Sequence, residues 1–371
     1  MKILMISIDK GLLGDQFKKQ LGDTVERHIK YGEHIDQLDI VVFSPPGFKK
    51  FQLSEKVTAY PTNSKNKAKY FFDGLKIGQK LFKKNSYDLI ITQEPFVTGL
   101  VGVNLKKKFG AKILVHFHGD FWQNSRWLQE NKLNRLFLAM SGYVVPRADA
   151  IRVVSQGIKE KLMKSGLTEE KIFVIPTPVN LKKYNRPDLE NTQRKDKLVL
   201  HVSRYDKVKD FKTLGEAFSI INKQIDNIKF LQIGGGDKAK SYLTGENVEV
   251  AGLLNHQALV NYFHQADVLV LSSTSESFGK VLVEANACGK PVVSTATTGA
   301  KEIIQDGYNG YLVPIGDAAA LAEKTIELLQ DENKSKQMGE NGRKLVQEKY
   351  GDNLNEVIKL WEKIVTGEAQ G

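Results

Sequence analysis

The chain has 371 residues, yet only one cysteine, seven histidines and no long apolar run. Each scarcity removes a class of protein. A lone Cys288 forms no internal disulfide and builds no cysteine-rich metal site, and it fits a reducing, intracellular compartment. The apolar stretches, such as residues 113–115 and 268–271, fall far short of the ~18 residues a membrane helix needs. The opening MKILMISIDK is interrupted by Asp9 and Lys10 and lacks a small-residue cleavage site, so a first strand is expected there rather than a signal peptide. No G-x-x-x-x-G-K-S/T, H-E-x-x-H or Asp-x-Asp pattern occurs, which argues against a P-loop, a zinc protease and a diphosphate gripped through a carboxylate-bound metal.

What is present is ordinary globular material, with 41% hydrophobic and 26% charged residues. At roughly 150 residues per domain, two domains are expected. The basic charge is one-sided. Residues 1–190 hold 32 Lys and Arg against 19 Asp and Glu, or +13, and the remainder carries −2 of the total +11. Its clusters are Lys18-Lys19, Lys49-Lys50, Lys65/Lys67/Lys69, Lys83-Lys84 and Lys106 to Lys108. Such a half suits an anionic ligand or an anionic membrane surface; the bland alternative is a solvated lysine-rich face.

Short runs rich in Val, Ile and Leu alternate with helical stretches along the whole chain. Strands are expected at 2–8, 40–43, 89–92, 112–116, 150–154 and 172–175, then at 197–202, 229–233, 248–251, 268–271 and 291–294. Strands apolar on both faces and separated by helices make parallel sheets. The expected fold class is therefore α/β, with two Rossmann-like, doubly wound domains facing a central cleft. Pro176-Thr-Pro178 and the polar stretch 185–197 mark the join, and residues 366–371 are expected to fray.

Four segments carry candidate chemistry. The strongest is Glu276-Ser-Phe-Gly-Lys-Val-Leu-Val-Glu284, which follows the run 268–271 and the loop Ser272-Ser-Thr-Ser275. Ser277 is a candidate cap for the next helix, whose N-terminus would offer free N–H groups and a positive dipole end to a phosphate. On a regular helix the two acids lie roughly 12 Å apart along the axis and about 80° apart in direction, so both could grip one elongated ligand. A carboxylate also accepts vicinal hydroxyls such as those of a ribose or hexose. The alternative is a capped helix with two surface acids. Arg204 and Lys209 lie on the loop after 197–202, where a planar fork and a mobile ammonium could neutralise a diphosphate and stabilise it as a leaving group. In His116-Phe-His118-Gly-Asp120 the two histidines are expected on opposite faces, which makes them poor joint metal ligands and leaves His118 to reach the cleft. Asp9-Lys-Gly11-Leu-Leu-Gly14 is a first βα loop whose glycines let backbone approach a ligand. Gly234-Gly-Gly236-Asp-Lys-Ala239 imitates a dinucleotide fingerprint, but it follows the second strand of its domain and lacks the acid about twenty residues on. No nicotinamide cofactor is expected; a close-packed turn is.

Together these segments resemble the retaining glycosyltransferases of family 4, the group 1 type with GT-B architecture. The likeness is strongest from Leu198 to Val313, where the stretch from Ala266 through Glu276 and Glu284 to Val293 follows the family's E-x7-E region. Arg204 and Lys209 match its Arg…Lys segment, and residues 148–155 and 175–180 match the end of its first domain. The resemblance implies domains at 1–178 for the acceptor, 179–350 for the nucleotide-sugar, and a last helix within 351–371 returning to the first. It implies that Arg204 and Lys209 bind the donor diphosphate, Glu284 the ribose hydroxyls and Glu276 the transferred sugar. Ser277, Phe278 and Gly279 would line the sugar and phosphate site. His118 would sit by the reacting centre, and Gly11 to Gly14 would close over the diphosphate. The chain departs from the family at Thr177-Pro178, Ser203, the Gly-Leu-Leu-Gly loop and Asp210, none of which removes a needed charge.

The function implied is retaining, metal-independent transfer of a sugar from a UDP- or GDP-linked donor to a hydroxyl of a glycan or lipid-linked acceptor, without a cofactor. Rivals are a sugar-nucleotide epimerase or phosphorylase of the same fold, and a non-catalytic basic binding module. No nucleic-acid partner is expected. The expected place is the cytoplasm, with docking on the inner membrane face as an option that Trp122, Trp127 and residues 136–140 could serve. Leu133, Leu136, Phe137 and Met140 follow core spacing, however, so a buried face is expected there.

Overall fold

The structure is a computed structural model that describes residues 1–16, 24–184, 196–351 and 353–368. Lys18-Lys19, residues 185–195 of the polar stretch and the terminal 369–371 lie outside the described residues. The chain divides into two compact units, Met1–Ile175 with Leu354–Gly371, and Pro176–Asn353.

The first unit is built on β1 (Lys2–Ser7), β2 (Gln37–Val42), β3 (Phe51–Ser54), β4 (Val57–Pro61), β5 (Leu89–Thr92), β6 (Lys112–Phe117), β7 (Ala150–Val153) and β8 (Ile172–Val174). They form one eight-stranded sheet in the order β3-β4-β2-β1-β5-β6-β7-β8. Every ladder is parallel except that between β3 and β4. The central strands are buried along nearly their whole length, as strands covered by helices on both faces must be. The sequence reading missed β3 and β4. β3 is a partly exposed edge strand and β4 lies between it and β2; both are short, mix polar with apolar residues and are separated by Glu55-Lys56, so no apolar run announces them.

The helix Leu354–Thr366 belongs to this first unit. Val357, Leu360, Trp361 and Ile364 recur at helical spacing and join Ile3, Leu38 and Leu114 in its core. Trp361 is 0% exposed and meets the ring of Tyr31 edge-on at 5.0 Å.

The second unit is built on β9 (Lys197–Val202), β10 (Ile228–Ile233), β11 (Val248–Ala251), β12 (Val268–Leu271), β13 (Val292–Thr295) and β14 (Gly310–Val313). Its order is β11-β10-β9-β12-β13-β14, parallel throughout. Val199, Phe218, Phe230, Val268, Val293 and Leu321 form its core. In each sheet the strand order reverses once, between β1 and β5 and between β9 and β12. Loops leaving the carboxyl ends of such a pair diverge and open a crevice.

One expectation about a helix face is overturned. On Asn134–Val144 the buried residues are Asn134, Ser141 and Val144, with Phe137 half-buried between them. Leu133 and Leu136 are 56% and 52% exposed. The inward stripe is one step off the leucines and runs through Asn134, Phe137, Ser141 and Val144, so apolar spacing placed Phe137 correctly but Leu133 and Leu136 wrongly.

Candidate functional site

Both loops at the switch point of the second sheet carry charge. After β9 the chain passes Arg204 into the short turn Lys207–Lys209, which Asp206 caps by accepting the Val208 N–H at 3.2 Å. Asp210 then turns left-handed, with φ 45°, and its carboxylate accepts from the Thr213 hydroxyl at 2.6 Å at the start of the helix Phe211–Asn222. A left-handed backbone explains why glycine is usual here; Asp serves because it also caps the helix. The loop after β12 is stitched to this one. The Ser272 hydroxyl donates to the Lys209 carbonyl at 2.8 Å, and the Thr274 N–H to the Val208 carbonyl at 2.7 Å. These bonds set the Lys209 ammonium against the Glu276 carboxylate, which also accepts from the Ser273 hydroxyl at 3.0 Å. Arg204, Tyr205, Lys209, Glu276, Gly279 and Lys280 line one cavity of about 460 Å³.

Glycine makes the close approaches here possible. A Cβ at Gly234, whose φ is +95°, would lie 2.9 Å from the Ser203 carbonyl oxygen, so that turn packs directly under the Arg204 loop. A Cβ at Gly299 would lie 2.5 Å from the Phe278 nitrogen. The Gly299 N–H donates to the Glu276 carbonyl at 2.8 Å, and Phe278 is buried against Tyr350. These contacts hold residues 276–279 in a non-helical turn. The helix therefore begins at Lys280 with Gly279, not Ser277, at its N-cap. Because Glu276 precedes the helix, the regular-helix separation of the two acids does not apply.

Glu284 lies one turn beyond Lys280 and is 5% exposed. The Tyr184 hydroxyl donates to its Oε1 at 2.6 Å, and the Lys280 ammonium lies 3.5 Å from the same oxygen. The structure thus groups Arg204, Lys209, Glu276 and Gly279 around one cavity. Glu284 joins them through Lys280, while Phe278 serves the packing beneath.

Gly11, Gly14 and His118 belong to the first unit, beyond the carboxyl ends of β1 and β6. The Gly11 N–H donates to Asp9 Oδ1 at 2.9 Å. Gly14 has φ 64°, and the Phe51 ring would lie 2.3 Å from a Cβ there, so this glycine also serves packing against β3. Gln93 Oε1 accepts from the Ser7 hydroxyl at 2.6 Å and the Ile8 N–H at 2.7 Å, tying the ends of β1 and β5 together. The two histidines are not on opposite faces, as expected. Side chains two apart on a strand share a face, and the rings meet edge-on at 5.4 Å. Burial first, and the Arg152 charge second, push His116 well below the usual imidazole range. His118 reaches solvent, yet its dense surroundings and the charges of Arg152 and Arg27 also favour its neutral form. Half-buried Glu94 is pushed up to about 7 by burial, against hydrogen bonds from the Thr98 and Val97 backbone.

Sequence reasoning missed Glu94, Tyr184 and Lys280. Glu94 could have been found as the acid two residues after the strand Leu89–Thr92 and just before Pro95. Tyr184 carries no local signal, because its partner is 100 residues away. Among the described residues no group of three or more His, Cys, Asp or Glu is placed to hold a metal ion. None of the described helices is long and apolar enough to cross a membrane.

Comparison with known proteins places these features in a family. A model described as Glycosyltransferase Family 4 matches residues 33–183, and one described as Glycosyl transferases group 1 matches residues 185–345. An uncharacterized glycosyltransferase of Methanocaldococcus jannaschii is 29% identical, over 99% of this chain and 96% of its own length. Sucrose-phosphate synthase from Thermosynechococcus elongatus has a similar fold, with a TM-score of 0.77 at 24% identity, over 100% of this chain and 98% of that one. Anabaena HepE, crystallised in complex with UDP-glucose, also scores 0.77, at 20% identity over 98% of this chain and 99% of its own.

Proposed function

The chain belongs to the group 1, family 4 glycosyltransferases with the GT-B fold, and on that premise we propose that it moves a sugar from a nucleoside-diphosphate donor to a hydroxyl acceptor with retention at the anomeric carbon. The observation that carries the reading is the convergence of Arg204, Lys209 and Glu276 on one cavity at the switch point between β9 and β12. Two cations there match the charge of a diphosphate, and they gain most from the charge that develops as it leaves. Before the donor arrives Glu276 occupies the Lys209 ammonium; diphosphate oxygens replace it, and Glu276 turns to the hydroxyls of the sugar. Gly279 places the start of the next helix, with its positive dipole end, at the same cavity. Glu284 takes the ribose hydroxyls. The leaving diphosphate accepts the acceptor proton, so the protein supplies positioning and charge stabilisation without a metal or a cofactor. UDP-glucose in the Anabaena relative supports a nucleotide-sugar as donor. Relatives that include a capsular polysaccharide biosynthesis glycosyltransferase of Staphylococcus aureus and a phosphatidyl-myo-inositol mannosyltransferase of Mycobacterium leprae favour a glycan or lipid-linked acceptor.

The test is a thermal-shift panel with UDP, GDP, ADP and CMP, with and without magnesium. A ligand at a hundred times its dissociation constant adds about 2.7 kcal/mol, a shift of several degrees. A shift with one diphosphate, unchanged by chelator, supports the donor site and identifies the base. No shift with any of them, joined to donor turnover without an acceptor, favours an epimerase.

A second element of the reading is docking on an anionic membrane. Exposed Leu133 and Leu136 stand beside Lys132 and Arg135, apolar and basic side chains together on one surface of the first unit. Pelleting with anionic vesicles at low salt, lost in Leu133→Asp/Leu136→Asp, is the expected result. A double variant that pellets like the parent overturns docking through this surface.

A further inference from the structure

We propose that Tyr184 is a positioning residue for the donor, holding Glu284 so that one defined carboxylate oxygen meets the ribose. The inference rests on the reading of Glu284 as the ribose ligand and deepens it. Tyr184 stands just beyond the short turn Leu181–Lys183 and is 1% exposed. Its backbone and its hydroxyl are both engaged. The Tyr184 carbonyl accepts from His264 Nε2 at 2.8 Å and lies 3.7 Å from the Cys288 thiol. The ring packs edge-on against Phe263 at 6.1 Å. The hydroxyl then reaches Glu284 Oε1 at 2.6 Å. A phenol so anchored has little rotational freedom, and its oxygen is a fixed point.

Both donors recorded on Glu284 converge on the same oxygen. Tyr184 meets Oε1, and the Lys280 ammonium lies 3.5 Å from it. Oε2 is thereby the oxygen left to accept from a ligand hydroxyl. A carboxylate on a helix turns about its terminal torsion over a broad range, and such two-fold torsions are weakly restrained on their own. A hydrogen bond from a buried phenol removes that freedom before the ligand arrives, which is the preorganisation a hydroxyl-reading site needs. Lys280 alone would not do this, because an ammonium on a flexible stem is a mobile point charge. Tyr184 and Glu284 lie in the same unit, so the arrangement is intrinsic to it.

The experiment measures binding of UDP, GDP and ADP against their 2′-deoxy forms to the full chain, to Tyr184→Phe, to Glu284→Gln and to the double variant. The parent is expected to prefer the ribose form of its diphosphate about tenfold or more, as for loss of a hydrogen bond to a charged group. Tyr184→Phe should lose most of that preference by weakening only the ribose form, with 2′-deoxy binding within about twofold of the parent. In the Glu284→Gln background Tyr184→Phe should change nothing further, because the two act as one unit. If Tyr184→Phe weakens both forms equally, or keeps the full preference while Glu284→Gln loses it, the positioning role is overturned. If the parent shows no ribose preference at all, the reading of Glu284 itself is what fails. Phenylalanine keeps the ring that packs on Phe263, so the fold is preserved, and an unchanged melting temperature without ligand confirms that.

Discussion

The two units share one plan, a sheet parallel but for the β3–β4 ladder of the first, with strand order reversing beside β1 and β9, yet the crevices at their reversals are furnished differently. In the second unit two cations and a carboxylate converge, and loop-to-loop hydrogen bonds from Ser272 and Thr274 hold them there. In the first unit the carboxyl edge carries the His116–His118 pair beside Arg152 instead. Burial and the Arg152 charge favour the neutral form of His116, and burial pushes Glu94 up to about 7. The proposed donor site therefore rests on the second unit, where the cations converge. The contrast also separates sources of stability. The second unit depends on glycines that let backbone meet backbone, whereas the first depends on a helix that arrives from the far end of the chain.

The sharpest way to break the comparison is to remove the charge. Arg204→Ala and Lys209→Ala should each lower donor turnover on the order of 10²–10³-fold, as for loss of one preorganised donor. Steady-state assays with the diphosphate sugar read this; a double variant with unchanged turnover ends the donor-site reading. Next in size, Trp361→Ala should cost about 3–5 kcal/mol, because it empties the centre of the first unit's core. Chemical denaturation followed by the signal of the first unit reports it. Gly299→Ala should cost about 1–3 kcal/mol through its clash with the Phe278 backbone, and should weaken diphosphate binding as residues 276–279 shift. Calorimetry of unfolding with and without diphosphate separates the two effects.

The smallest effect is one of pH. Glu94 has a folded pKa raised to about 7 from the model-peptide range, so the folded state holds its proton where the unfolded chain has lost it. Stability is then highest below about pH 4 for this group and is lost as pH rises toward 7, by at most about 1.4 kcal/mol per pH unit. Glu94→Gln should flatten that slope and stabilise the protein at pH 8 but not at pH 4. Denaturant midpoints across this range check it, and a slope unchanged by the substitution would mean that Glu94 ionises freely.

Much of the second unit was legible from residues alone. The run Val268–Leu271, the small-residue loop and the E-x7-E spacing are local, and so are Arg204 and Lys209 on one βα loop. The sequence could not show where the helix starts, because Gly299, in another element, holds Phe278 out of it. In the first unit less was legible. Strands β3 and β4 carry no apolar run, and Leu133 and Leu136 look like core until the buried stripe is seen to be Asn134, Ser141 and Val144.

By itself the sequence determined the α/β class, the family, the parallel sheets and the charged residues of the donor loops, because periodicity and motif spacing are properties of short stretches of chain. Only the tertiary structure decided which carboxylate oxygen Tyr184 engages, which face of Asn134–Val144 is exposed, and which side chains of the returning helix, Val357, Leu360, Trp361 and Ile364, enter the first unit's core. Those outcomes depend on residues far apart in sequence meeting across packed elements. No local pattern encodes such a meeting.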